Sequence, residues 1–440
     1  MIQKLKQFLK KHENIFFVKS ALNIKHTLEE NGAKKRLKRL QKIHVPQNRK
    51  VRVIFIVIDK NTWNKAKPLY FEMLQSDKIE VNIVCCPQPF KGDTAGTYNY
   101  FVQQGYDCID ARVGNGPWNA MEKQGKWFNI KKLKPDYVFY NEPYNGYLPP
   151  KYRSNVTSGY AKVCIVAYGM TTTQNFLEIR PHDFYRDVYI FYANNRDEYE
   201  YNIAQFKKQH ELKIQHTKYL GFLGKDNVLA KQNEKAEAWN FSKNKVRAIW
   251  TPRWTLDEKV GGSNFFRYKN VLFEYADSNQ DVDFLFRPHP MALDNFIRTG
   301  KMTQAEVDNF INHCANVKNI SLDSQGEYIS SFWQSSFLIT DISSIIIEYF
   351  ITGKPIVFCR PENNEQVYLP FFSKILDACY VVNNKEELLV VLDYLASGED
   401  EKKNAREKLL NEILGNKGEN VSSAILNDIL NDAKGNYLYK

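Results

Sequence analysis

The sequence predicts an α/β protein built from two Rossmann-like domains with parallel sheets. Short runs rich in β-branched and aromatic residues at 51–58, 81–85, 137–140 and 162–167 alternate with helix-like segments, as strands and helices do in a parallel sheet. A second series of such strands runs through 246–359. With 440 residues, the chain is long enough for two domains of about 200 residues each.

The domain limits follow from composition as well as from the strand pattern. The stretch 224–245 is rich in Lys, Asn, Gln and Glu, which is typical of a connection between domains. We therefore expect four parts along the chain: a basic helical segment at 1–50, a first Rossmann-like domain at 51–225, a second at 246–395, and a helical tail at 396–440.

Charge is concentrated at the start of the chain. Residues 1–50 contain 14 Lys and Arg and 3 Glu, a net charge of +11 that equals the net charge of the whole chain. The basic residues alternate with apolar ones such as Ile2, Leu5, Phe8 and Leu9, which suits a helix on an anionic membrane surface. A polybasic nucleic-acid site and a helix packed on the domain are the alternatives. We expect the membrane and no nucleic-acid partner.

The cysteines and the apolar runs indicate the compartment. The seven cysteines are scattered, odd in number and without metal-binding spacing, which favours a reducing cytoplasm. The longest uninterrupted apolar run, 53–58, is far too short to span a bilayer, and no signal-peptide pattern is present. A cytoplasmic protein on the inner face of the cell membrane is the resulting expectation.

The segment 337–361 has the pattern of a strand, a turn, a helix and a second strand. The apolar run 337–339 ends just before Asp341, and Ser343 and Ser344 then begin an apolar helix. Unpaired N–H groups at such a helix start suit a phosphate. The alternative is that Asp and Ser merely cap the helix.

Two further strands also end in basic residues. The strand at 284–286 is followed by Arg287 and His289 in the sequence RPHP, and the strand at 246–250 is followed by Arg253. Ligands bind outside the carboxyl ends of parallel strands, and Arg offers a fork that matches phosphate oxygens. His can donate a hydrogen bond or a proton. The three strand ends together predict a site for a diphosphate.

These motifs, in this order, resemble those of the CDP-glycerol glycerophosphotransferases, which build teichoic-acid-like and capsular polyol-phosphate polymers. The resemblance covers roughly 160–390. It rests on TPRW at 251–254, RPHP at 287–290, TDISS at 340–344, GKP at 353–355 and a degraded Gly-x-Pro-Arg-x-Asp turn at 221–226.

The resemblance implies a GT-B-like architecture, in which two Rossmann-like domains face a central cleft and the second binds the donor nucleotide. By the same resemblance, His289 would contact the donor pyrophosphate, and Ser343 and Ser344 would hold phosphate oxygens. Arg253 and Arg287 would neutralise charge as CMP leaves. The family is not known for a bound metal, so neither a metal nor another cofactor is expected.

Two acidic residues belong to the same region. Glu348 lies one turn into the predicted helix, within reach of a donor ribose hydroxyl if it faces the cleft; a surface position is the alternative. Asp341 is expected to cap the helix or orient its loop rather than to react.

The acceptor side departs from the family pattern. Better-known members carry a Trp-His-Gly-Thr segment whose His is the expected base, whereas Tyr168 stands at that place in VAYGM at 166–170. Tyr is a poor base at neutral pH, so Tyr168 would position the acceptor, or the acceptor differs. Glu142 and His182 are the candidate substitute bases. The alternatives are that Glu142 is a capping or ion-paired residue and that His182 is an ordinary loop residue.

The expected function is transfer of a polyol-phosphate from a CDP-activated donor to a hydroxyl of a growing cell-surface polymer or glycolipid, with release of CMP. The alternative is a GT-B glycosyltransferase that uses a nucleotide sugar for capsule or cell-wall polysaccharide synthesis. A UDP-N-acetylglucosamine 2-epimerase is disfavoured because its paired Gly and paired Glu are replaced by IIIE at 345–348. A non-catalytic basic adaptor leaves Arg253, Arg287 and His289 unexplained.

Overall fold

Two parallel β-sheets organise the chain, one in each half. The computed structural model describes residues 16–88, 95–258, 261–324, 327–363, 365–414 and 420–435. The predicted apolar residues Ile2, Leu5, Phe8 and Leu9 lie outside them. The strands of the first half are β1 Val51–Val57, β2 Ile79–Cys85, β3 Cys108–Asp110, β4 Arg112–Val113, β5 Lys126–Trp127, β6 Tyr137–Tyr140, β7 Lys162–Val166, β8 Ile190–Tyr192 and β9 His216–Lys218.

The second half repeats the arrangement with six strands. They are β10 Val246–Thr251, β11 Val282–Phe286, β12 Ile320–Leu322, β13 Phe337–Thr340, β14 Ile356–Cys359 and β15 Tyr380–Val382. The first sheet has the order β3-β2-β1-β6-β7-β8-β9 and the second β12-β11-β10-β13-β14-β15, while β4 and β5 form a small hairpin. All strand pairs in the two large sheets are parallel. The predicted α/β fold class is confirmed; the domain limits stay predictions.

Helices connect the strands and cover the sheets. In the first half they are Phe16–Gln41, Lys60–Trp63, Lys67–Gln75, Gly96–Gln103, Ser154–Thr157, Gln174–Glu178, His182–Tyr185, Arg196–Gln205, Lys207–Glu211 and Gly224–Ala230. In the second they are Phe265–Ser278, Ala292–Arg298, Gln304–Asn316, Ile329–Gln334, Ile345–Phe350, Pro370–Asp377, Lys385–Ala396, Lys403–Leu414 and Val421–Ala433. Short 3-10 helices span Ile130–Leu133, Asn145–Tyr147, Pro150–Tyr152 and Glu237–Trp239.

The central strands are buried on both faces, which explains their continuous apolar sequences. In β1, Val53, Phe55 and Val57 join one core cluster and Ile54 and Ile56 join the cluster on the opposite face. This alternation is the period of two that a pleated strand imposes. Because both faces exclude water, a strand of this kind is predictable from its apolar run alone.

Two helical regions are divided in the structure. One is broken at the buried Phe206 into Arg196–Gln205 and Lys207–Glu211. The helical tail expected at 396–440 contains, among the described residues, the helices Lys403–Leu414 and Val421–Ala433.

The C-terminal helix Val421–Ala433 returns to the first sheet. Its buried Asp432 accepts hydrogen bonds from Lys162 Nζ at 2.7 Å, from Tyr137 at 2.5 Å and from Tyr189 at 3.1 Å. The Lys162 ammonium also lies 4.8 Å from the centre of the Tyr189 ring. A buried charge is tolerated only when it is paired in this way. The tail thereby ties the end of the chain to the first half.

The described part of the N-terminal segment packs on the first half. In the helix Phe16–Gln41, Ala33, Leu37 and Leu40 are buried, and Arg36 donates to the buried carboxylate of Asp187. This part of the helix therefore matches the alternative of a helix packed on the domain. No helix among the described residues combines the length and hydropathy that crossing a bilayer requires.

Candidate active site

A cavity of about 570 Å³ lies where the carboxyl ends of the two sheets face each other. The first half contributes Thr62, Lys65 and Tyr168 to its wall. The second half contributes the three predicted strand-end segments, at 251–254, 287–290 and 342–345. The structure therefore brings together the motifs that the sequence separates by up to 90 residues.

Asp341 sets the geometry of the loops at this edge. β10 and β13 are neighbours, and Thr251 lies opposite Thr340 in the register. The carboxylate of Asp341, 1% exposed, accepts hydrogen bonds from the backbone N–H groups of Arg253 at 2.7 Å and Asn264 at 2.9 Å. Burial raises the pKa of this carboxyl to about 7. This contact pattern is that of a loop-orienting group, and the functional role of Asp341 stays a prediction.

Two arginines line the second-half wall. Arg253 Nη1 donates to the Ile342 carbonyl at 2.6 Å, while its buried Nε has no hydrogen-bond partner among the described residues. Burial lowers the pKa of this guanidinium. Arg287 pairs with Asp323 at 2.7 Å and stacks over Tyr328, 4.5 Å from the ring centre. Both guanidinium groups are therefore held at fixed places in the wall.

His289 presents an imidazole to the cavity beside the two arginines. Its Nδ1 accepts a hydrogen bond from the backbone N–H of Met291 at 3.2 Å, which assigns the proton of the neutral ring to Nε2. Desolvation by the cavity wall and the charges of Arg253 and Arg287 lower the pKa of His289 to about 4, although the ring's outer surface is exposed. At neutral pH the residue is thus a neutral hydrogen-bond donor.

Ser343 and Ser344 lie in the cavity wall near the first half. Ser343 Oγ accepts from the Ile345 N–H at 3.3 Å, and the helix begins at Ile345 rather than at the serines. A Cβ at Gly169 would lie 3.8 Å from the Ser344 Cβ, so Gly169 of the first half faces this hydroxyl-bearing loop. A bound phosphate at the serines would therefore contact both halves.

Glu348 does not line the cavity. Its carboxylate, 1% exposed, forms an ion pair with Lys65 of the first half and accepts a hydrogen bond from the Tyr328 hydroxyl at 2.8 Å. Lys65 and Tyr328 themselves lie in the cavity wall. Contact between Glu348 and a ribose stays a prediction, and it would require this ion pair to open.

The acceptor side holds two of the three base candidates. Tyr168 lines the cavity and is 38% exposed, and burial with the nearby Tyr144 and Glu142 raises its pKa well above its usual value. A hydroxyl with a raised pKa is an even poorer base. Glu142 is 8% exposed behind Thr62, whose hydroxyl donates to it at 2.8 Å, and burial raises its pKa to about 7.

His182 lies away from the cavity. Its ring stacks between His26 of the N-terminal helix and Phe206, at centre distances of 5.3 and 5.1 Å. The helix His182–Tyr185 begins directly after Pro181 and holds the His182 ring against the N-terminal helix, while Arg180, two positions earlier, lines the cavity. The structure therefore places His182 with the N-terminal helix and not with Tyr168 and Glu142.

Lys65, Tyr328 and Arg180 are among the cavity-wall residues that sequence reasoning missed. Lys65 is one of many lysines, and its partner Glu348 is 283 positions away, so no local pattern marks it. Tyr328 is likewise defined only by its distant contacts with Glu348 and Arg287. Arg180 pairs with the buried Glu198 at 3.2 Å; its place in RPHD, which resembles RPHP, was the available signal.

The chain also matches a known protein family. The family described as CDP-Glycerol:Poly(glycerophosphate) glycerophosphotransferase matches residues 169–431, which is more than half of the chain. The chain belongs to this family. It is a CDP-glycerol glycerophosphotransferase-like enzyme, as the sequence motifs predicted. A comparison with curated proteins gives no match.

Solved structures with the same fold support the GT-B-like architecture of this family member. UDP-GlcNAc 2-epimerase from Neisseria meningitidis, bound to UDP-GlcNAc, is 14% identical with a TM-score of 0.58 over 87% of this chain and 99% of its own. S. aureus MnaA with UDP has 12% identity and a TM-score of 0.58, covering 87% and 96%. The wall teichoic acid polymerase TagF with CDPG has 14% identity and a TM-score of 0.55, covering 93% and 95%.

Proposed function

We propose that this glycerophosphotransferase-like enzyme transfers glycerol-phosphate or a similar polyol-phosphate from a CDP-activated donor to a hydroxyl of a growing cell-surface polymer, such as a capsule or teichoic acid, or of a glycolipid. CMP is the second product. The observation that carries the proposal is the convergence of Arg253, Arg287 and His289 on one wall of a cavity that also presents Ser343 and Ser344.

The charges of this wall suit a donor diphosphate. Arg253 has no ion-pairing carboxylate among the described residues, so its positive charge is available to an anion. His289 contributes an N–H donor without adding charge at neutral pH. Positioning and charge stabilisation by such groups account for most of the catalysis in phosphoryl transfer.

The reaction then needs a base for the acceptor hydroxyl. The acceptor oxygen forms a bond to the phosphorus that carries the polyol, the bond from that phosphorus to the CMP oxygen breaks, and the hydroxyl proton passes to the base. Glu142 fills this role because its pKa of about 7 lets it hold a proton near neutral pH. Thr62 lies between Glu142 and the cavity and can relay the proton. Tyr168 positions the acceptor.

The donor assignment is tested by His289→Ala, which removes a ring with few contacts of its own. Loss of a hydrogen bond to a charged group costs about 1.5–3 kcal/mol, so CDP-glycerol should bind about 10- to 100-fold more weakly. CMP, which lacks the second phosphate, should lose less. Calorimetric titration measures both ligands, and His44→Ala, at an exposed histidine outside the cavity, is the matched control. Tight binding of UDP-sugars with none of CDP-glycerol would contradict the proposal.

The base assignment is tested by the pH dependence of transfer. A base acts only when ionised, so kcat/KM should rise about tenfold per pH unit below a pKa near 7 and level off above it. Glu142→Gln should lower kcat by about 10²- to 10⁴-fold and abolish this rise of kcat/KM with pH, while CDP-glycerol binding stays intact.

The exposed Glu200→Gln serves as the control for the same chemical change. An unchanged pH profile in Glu142→Gln would remove Glu142 from the role of base.

We also propose that residues 1–50 hold the enzyme on the anionic inner surface of the cell membrane. The support is the net charge of +11 and an outward apolar pair, Ile24 and Leu28, which are 62% and 66% exposed beside Lys25. These residues are one helical turn apart and lie on one face. They are outside the part of the helix that packs through Leu37 and Leu40.

Vesicle sedimentation tests this proposal. The full chain should pellet with phosphatidylglycerol vesicles, should stay in solution with phosphatidylcholine vesicles, and should be released by high salt, because exposed charges are screened. The double substitution Ile24→Asp/Leu28→Asp should weaken pelleting severalfold. Val390→Asp, at a residue that is 69% exposed on another helix, is the control. Equal binding to both vesicle types would contradict an electrostatic membrane contact.

A further inference from the structure

Two polar residues on the N-terminal helix face a histidine of the first half. His26 and Glu30 are four positions apart on Phe16–Gln41, so both side chains lie on one face of the helix. His182 begins the helix His182–Tyr185, which packs against that face. The nitrogen and oxygen atoms that could bind a metal on these three residues all lie within 4.8 Å of one another.

The Glu30 carboxylate has one buried oxygen, Oε1, without a hydrogen-bond partner among the described residues. His182 Nε2 lies 3.7 Å from this oxygen, which is beyond hydrogen-bond distance. The other oxygen, Oε2, is held by Gln209 Nε2 at 3.3 Å. One carboxylate oxygen is thus held by a hydrogen bond, whereas the other lacks a hydrogen-bond partner and lies beside an imidazole.

From this juxtaposition we propose that His26, Glu30 and His182 bind a divalent transition metal of the zinc type, outside the cavity. Two imidazoles and one carboxylate are a common zinc ligand set, and they leave a fourth tetrahedral position for water. Mg²⁺ and Ca²⁺ prefer oxygen ligands and are disfavoured here.

The surroundings of the cluster are compatible with a cation. Arg186 is the nearby positive side chain, and it is paired with Glu29 at 3.0 Å and Asp187 at 3.7 Å. Gln209, which holds Glu30 Oε2, acts as an outer partner that fixes the ligand, as metal-binding carboxylates usually require. Arg186 therefore leaves little uncompensated positive charge at the cluster.

A metal at this position would connect parts of the chain that are far apart in sequence. It would join the N-terminal helix at residues 26 and 30 to residue 182, next to the existing Arg36–Asp187 contact. A ligand that binds the folded state and not the unfolded chain raises stability with its concentration. Zinc would thus raise the melting temperature and fix this helix of the basic segment on the first half.

The experiment uses the full chain, stripped of metal with a chelator and titrated with Zn²⁺ in a calorimeter. We expect one strong site per chain and a rise in melting temperature with Zn²⁺ but not with Mg²⁺. His26→Ala and His182→Ala should each weaken Zn²⁺ binding at least tenfold and remove the thermal shift, whereas His44→Ala should leave both unchanged. Zn²⁺ binding that is absent, or that both variants retain, would overturn the proposal.

A substitution that replaces one ligand with another separates metal binding from folding. His26→Cys supplies a thiolate in place of the imidazole and should retain the site. Co²⁺ bound to this variant should then show a thiolate-to-cobalt charge-transfer band, which His26→Ala cannot produce. Absence of the band from a variant that folds like the original chain would show that residue 26 is not a ligand.

Discussion

The ion pair between Lys65 and Glu348 is the contact on which the active-site geometry depends. It joins the two halves at the cavity wall, with side-chain exposures of 9% and 1%. Tyr328 donates to Glu348, accepts from Lys65 at 3.2 Å and lies under Arg287, so the pair also fixes a cationic residue of the wall. Removing one partner of a buried pair costs about 3–5 kcal/mol, because the other charge is left desolvated. The two sheets are therefore held at a defined separation.

The two sides of the cavity differ in how their charge is controlled. On the second-half side, His289 stays neutral because desolvation and the charges of Arg253 and Arg287 lower its pKa to about 4. On the first-half side, burial raises the pKa of Glu142 to about 7. An anionic donor and an acceptor hydroxyl need these opposite environments: fixed positive charge for one, and a group able to take up a proton for the other.

The sequence was sufficient to predict the strands and the residues that follow them. β1, β11 and β13 contain the apolar runs 53–57, 284–286 and 337–339, which are buried on both faces, and Arg253, Arg287 and Asp341 follow at one edge because parallel strands end there. It was not sufficient to predict the contacts between segments that are distant in the sequence. The partner of Glu348, Lys65, comes from the other half, and His182, which was considered as a base, lies against the N-terminal helix.

The most direct test of the account is a crystal structure of the full chain with CDP-glycerol bound. The account predicts the diphosphate in the cavity between the two halves, within hydrogen-bond distance of Arg253, His289 Nε2 and the hydroxyls of Ser343 and Ser344. The glycerol end should point towards Tyr168 and Thr62. A nucleotide bound elsewhere, with the cavity wall unaltered, would contradict the assignment of this cavity as the donor site.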